Sequence, residues 1–91
     1  MSSHDVWVID DCRLSRTFVA RAVAPWAVRE FACGATALSA LAEESAIPLA
    51  VFTDEQMPGL RGTVVARAMR DSGYCGTIIF LTGTVDDAIR A

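Results

Sequence analysis

Four short apolar runs, each cut off by a polar residue and separated by helix-length segments, constrain this chain more than any other feature. Val6–Ile9 (VWVI) stops at Asp10–Asp11. Leu49–Thr53 (LAVFT) stops at Asp54, and Thr77–Leu81 (TIIFL) stops at Thr82. Runs of this length, apolar at successive positions, suit strands covered on both faces. Trp26–Ala32 (WAVREFA) is a weaker strand, expected at a sheet edge because Arg29 and Glu30 lie inside it.

The intervening segments read as helices. Leu14, Phe18, Val19, Ala22 and Val23 recur at helical spacing. Pro25 disfavours helical geometry at Ala24 and ends that helix. Gly34 opens a second helix with Ala35, Leu38, Leu41 and Ala42 on one stripe. Gly62 opens a third, in which Val64 and Ala68, and Val65 and Met69, are i,i+4 pairs. Gly73 is its C-terminal stop. Thr84 with Asp87 is a weak start for a fourth helix.

Strand–helix alternation predicts βαβ units, and these give a parallel sheet with right-handed crossovers. In such sheets the ligand site lies beyond the carboxyl ends of the strands, where strand order reverses. Asp10, Asp11, Asp54 and Thr82 all fall at that edge. Carboxylates brought together resist ionising beside one another. Magnesium, a hard cation bound through oxygens and usually one or two carboxylates, removes that conflict. A carboxylate can also attack phosphorus and form an acyl phosphate, and Thr82 can donate to a phosphoryl oxygen.

Composition narrows the alternatives. Ninety-one residues make one domain, residues 1–91, and a net charge of −3 gives no electrostatic support for nucleic-acid binding. The N-terminus has no basic region before its apolar run, so no signal peptide is read there. No apolar run reaches the roughly 18 residues of a membrane span. Cys12, Cys33 and Cys75 lack CxxC spacing and read as reduced core residues of a cytoplasmic protein.

These residues resemble the receiver domain of bacterial two-component response regulators. The matching pieces are VWVIDDCRLSR (6–16), GATALSAL (34–41), VFTDEQMPGLRG (51–62) and IIFLTG (78–83), in the family's order over essentially the whole chain. The Asp-x-x-Met-Pro-Gly-x-x-Gly arrangement at Asp54–Gly62 is the most specific of them. The resemblance implies a flavodoxin-like α/β three-layer sandwich with strand order 2-1-3-4. It also implies that Asp54 is the phosphoacceptor and that Asp10 and Asp11 bind Mg2+ with Asp54 and the Gln56 backbone carbonyl. Thr82 would be the switch hydroxyl, with a small residue, Gly83, after it. Met57 and Pro58 would shape the loop behind the acceptor. The implied partner is a sensor histidine kinase or phosphotransfer protein, and the implied role is signal transduction rather than enzymatic turnover.

The chain departs from the family in two ways. The sequence ends nine residues after Thr82, so a fifth strand and fifth helix are not expected. All eight basic residues are arginine, so the family's lysine is missing and no single arginine is marked as its substitute. Loss of the last helix would leave apolar surface around Val6–Ile9 and the first helix facing water. A two-fold dimer would then cover it, with Trp7 and Trp26 as candidates to fill the surface, against core packing, which is the favoured reading for each. Two other readings compete. One is a pseudo-receiver that keeps the fold without phosphoryl chemistry. The other is an aspartyl phosphatase, disfavoured because Gln56 stands where those enzymes carry a second aspartate.

Overall fold

The computed structural model describes residues 5–43 and 47–81. Its elements are β1 (Val6–Ile9), α1 (Arg13–Ala22), β2 (Val28–Phe31), α2 (Gly34–Glu43), β3 (Ala50–Thr53), α3 (Gly62–Asp71) and β4 (Thr77–Phe80). The four strands form one parallel sheet in the order β2-β1-β3-β4. This is the parallel α/β sheet expected from the alternation, in the flavodoxin-like 2-1-3-4 order that the resemblance implied. The proposed start of a fourth helix at Thr84 lies outside the described residues.

Register explains the layers. Trp7 pairs with Arg29 and Val51, and Ile9 pairs with Phe31 and Thr53, so alternate residues of neighbouring strands share a face. On that face Trp7, Ile9, Phe31 and Val51 pack with Ala37 and Ala40 of α2 and with Val65 and Met69 of α3. The Trp7 and Phe31 rings meet in a tilted pair with centroids 4.8 Å apart. The other face is covered at β1 by α1, and Val6 and Val8 are buried beneath it.

The edge position of β2 holds, and its charged residues are accommodated in different ways. The Arg29 guanidinium lies 4.9 Å from the Phe31 ring centroid and 5.7 Å from that of Trp7. Glu30 pairs with Arg16 of α1.

Helix ends follow local chemistry, but helix faces do not. α1 stops at Ala22, ahead of Pro25. α3 ends in a Schellman motif: Tyr74 N–H donates to Met69 O and Gly73 N–H to Arg70 O, with Gly73 at φ +100°. In α2, however, the buried stripe is Gly34, Ala37 and Ala40, not the expected one. Leu38 and Leu41 are half-buried, and Ala35 and Ala42 are exposed. The segment is apolar on nearly every side, so its pattern selects no face. The close approach of α3 selects the small one: a Cβ on Gly34 would overlap Val65 Cγ2. In α1, Ser15 and Val19 are buried while Leu14 is 79% and Phe18 58% exposed.

Two further expectations need correction. β1 does not face water: all four of its residues are buried, and Trp7 lies in the core between the sheet and α2 and α3, the favoured of its two expected places. Exposed apolar groups include Leu14 and Phe18 on α1, Trp26 and Leu49 near its C-terminal end, and Ile79 and Phe80 on the edge strand β4. Nor are the cysteines core residues, since Cys12 and Cys75 are exposed and Cys33 is half-buried. All three sit in connections between elements, where the chain is turning at the surface.

Candidate functional site

The sheet ladder carries two aspartates to one edge. Ile9 is in register with both Phe31 and Thr53. One residue on, Asp10 N–H donates to Phe31 O and Asp54 N–H donates to Ile9 O, each at 3.0 Å. On the far side of β3, Leu81 N–H donates to Thr53 O at 2.9 Å. Asp10 and Asp54 are therefore neighbours just beyond the carboxyl ends of adjacent strands.

Local turns then aim the carboxylates. Cys12 N–H donates to Asp10 Oδ1 at 2.9 Å, and Gln56 N–H donates to Asp54 Oδ1 at 3.3 Å. Both are Asx-type turns, in which an aspartate caps the backbone two residues on. Asp11 lies between the first pair. Carboxylate oxygens of Asp10, Asp11 and Asp54 all fall within 4.8 Å of one another. Their exposure is graded: Asp10 is 3% exposed, Asp54 half-buried and Asp11 exposed.

Electrostatics follow from that packing. Burial first, opposed by the Cys12 N–H hydrogen bond and aided by the nearby Asp54 and Asp11 charges, pushes the Asp10 carboxyl up to about 6 from an ordinary 3.8. The donor set consists of carboxylate oxygens at close quarters. A hard divalent cation fits such a set. No soft ligand belongs to it, since the cluster contains no sulfur or imidazole.

The loop behind Asp54 is closed by Glu55. Its carboxylate accepts from Thr63 N–H at 2.7 Å and from Thr63 Oγ1 at 3.2 Å, and its carbonyl accepts from Gly62 N–H at 3.3 Å. An acid at the first turn of α3 also meets the positive end of the helix dipole. Met57 is buried in the core, Pro58 is exposed, and Gly59 takes φ +82°. Gly62 touches the Asp54 backbone so closely that a Cβ there would overlap the Asp54 carbonyl oxygen.

Of the residues singled out in the sequence, Asp10, Asp11 and Asp54 converge. Gln56 is tied to Asp54 through its N–H. Thr82 and Gly83 lie outside the described residues. The sequence reading missed Arg16, whose Nη1 donates to the Asp10 carbonyl at 2.7 Å, and the Glu55–Thr63 closure. Glu55 had a faint signal, an acid shortly before a helix start. Arg16 had none.

No family model matches the sequence, and no curated protein does. Among solved structures, the N-terminal domain of an uncharacterized protein from Wolinella succinogenes has 17% identity and a TM-score of 0.74, over 97% of this chain and 73% of that one. A chain comprising a yeast Spc42 trimeric coiled-coil segment fused to another structure has 17% identity and a TM-score of 0.77. There the match covers 93% of this chain and 58% of the other. At such identities the likeness establishes the fold. Among the described residues, no helix is long and apolar enough to cross a membrane.

Proposed function

We propose that the chain is a cytoplasmic, receiver-like signalling module that accepts a phosphoryl group on Asp54. The observation that carries this reading is the convergence of three carboxylates within 4.8 Å at the carboxyl edge of a 2-1-3-4 parallel sheet. The donor is a phosphohistidine of a sensor histidine kinase or phosphotransfer protein. An Asp54 oxygen attacks phosphorus, the P–N bond breaks as the O–P bond forms, and the departing imidazole takes up a proton. Asp54 suits this role because it is half-buried: accessible to a donor, yet fixed through Gln56 N–H.

Asp10, Asp11, Asp54 and the Gln56 carbonyl hold Mg2+, which when bound neutralises charge on the transferring group. Asp10 supplies the deep, fixed side of the site and Asp11 the solvent side. Thr82 is the hydroxyl that answers the phosphoryl oxygens. The modification adds close to two negative charges, enough to bias a switch. The chain is then an acceptor that passes on a state, not an enzyme that turns over substrate.

Incubation with a small phosphodonor and Mg2+, followed by intact-mass measurement, is expected to show a gain of one phosphoryl group. Asp54→Asn abolishes the gain. An unmodified protein that stays at its original mass under these conditions favours the pseudo-receiver reading, which the absence of any lysine already supports.

Output through self-association is part of the same proposal. Leu14, Phe18, Trp26 and Leu49 are each more than half exposed on or beside α1. A second copy covers this surface in a two-fold dimer. Sedimentation at micromolar concentration is expected to show a dimer, and Phe18→Asp with Leu14→Asp returns it to monomer. A monomer at every concentration, with or without phosphodonor, removes this part of the reading.

A further inference from the structure

We infer that Arg16 is a positioning residue for the acidic site, bridging the Asp10 carbonyl to Glu30 and so fixing the turn that carries Asp10 and Asp11. The inference rests on the reading of that site as a Mg2+ site. Arg16 Nη1 donates to Asp10 O at 2.7 Å, and its Nε donates to Glu30 Oε1 at 3.0 Å. Its side chain is only 15% exposed, against 42% for Glu30. One guanidinium thus joins α1, the end of β1 and the edge strand β2.

The placement matters because the ladder stops here. Asp10 N–H still bonds to β2 through Phe31 O, while the Asp10 carbonyl is taken by Arg16. Two residues on, Cys12 N–H turns back onto the Asp10 carboxylate, and Arg16 N–H donates to Cys12 O at 3.1 Å as α1 begins. Arg16 therefore holds the turn from both sides, by its side chain at Asp10 and by its backbone at Cys12. Asp11 lies between those anchors, and its exposed carboxylate points where they direct it.

The residue type follows from the acceptors. Asp10 O and Glu30 Oε1 are met by two different nitrogens of a planar fork. A lysine offers one nitrogen and cannot hold the same pair with the same geometry. The ion pair with Glu30 is open to solvent on one side, so it contributes little to global stability. Its effect is expected in the site instead, as for the outer partners that orient metal ligands.

The test is calorimetric titration of the 91-residue protein with Mg2+, well below the unfolding temperature. Arg16→Lys is expected to weaken Mg2+ binding by about 10-fold or more while leaving the thermal midpoint within a few degrees. Arg21→Lys, exposed on the same helix, leaves the affinity unchanged. Should Arg16→Lys fail to fold, Glu30→Ala, which removes only the Nε anchor, is expected to weaken binding in the same direction, by at most about 10-fold. Unchanged affinity in the folded Arg16 or Glu30 variant overturns the inference and leaves the Mg2+ site standing. An unmodified protein that takes up no Mg2+ overturns both.

Discussion

Asp10→Asn is expected to raise the thermal midpoint of the metal-free protein near neutral pH and to abolish its response to Mg2+. The folded protein holds a proton at Asp10 up to about 6, against an ordinary 3.8, because the carboxyl is buried beside Asp54 and Asp11. A raised carboxyl means that the folded state binds the proton more tightly than the unfolded chain does. The stability associated with that proton is fully present below the unfolded value and is lost as pH rises through the folded one.

The size follows from the difference between the two values. At about 1.4 kcal/mol per pH unit, the charged carboxylate costs the folded state up to about 3 kcal/mol at neutral pH. That is a large part of a total stability of about 5–15 kcal/mol. Asparagine occupies the same space, keeps an oxygen for Cys12 N–H, and carries no charge to desolvate. A gain of about 2 kcal/mol corresponds to roughly 10 °C in a domain of this size. Thermal melts from acid to neutral pH check the sign: the two proteins melt together below the ordinary value, and the variant pulls ahead through about 6. A variant that melts at or below the unmodified protein at neutral pH contradicts the argument.

Gly62→Ala is the second large effect, and it runs the other way. Its Cβ would overlap the Asp54 carbonyl oxygen, and it would lie 2.9 Å from the Asp54 carbonyl carbon and 3.0 Å from Glu55 Cα. These are backbone atoms, so no rotamer change relieves the overlap. Either α3 withdraws or Asp54 moves. Overpacking of this kind costs about 1–3 kcal/mol. The displaced atoms belong to Asp54, so under the proposed function phosphoryl uptake there is expected to fall along with stability.

Gly59→Ala separates this from a backbone effect. Gly59 takes φ +82° with no heavy atom within 4 Å of its would-be Cβ, so alanine there meets strain but no neighbour. It is expected to cost roughly 1–2 kcal/mol and to leave Asp54 in place. Equal rates of phosphoryl uptake in both variants, at a temperature where both are folded, would dissociate Gly62 from the site.

The legible part of this protein lies in its punctuation. Strand ends at Asp10 and Asp54, the stop before Pro25 and the glycine after α3 were all readable, because turns, caps and breaks are decided by a few adjacent residues. The parallel sheet followed from alternation, and its strand order from the likeness of this chain to a known family. The parallel register then brought Asp10, Asp11 and Asp54 together, as the sequence reading required.

What the chain alone determined, then, was the succession of elements and the edge on which its acids fall, both products of short-range stereochemistry. Tertiary structure decided the rest. It chose the glycine–alanine face of α2 over its leucines, because α3 approaches too closely for anything larger. It buried Ser15 and Val19 and left Leu14 and Phe18 outside. It put the cysteines at the surface, pressed the Asp10 carboxyl toward neutrality and brought Arg16 onto the Asp10 carbonyl. Each of these depends on which distant surface arrives and how near it comes, a quantity that no local periodicity contains.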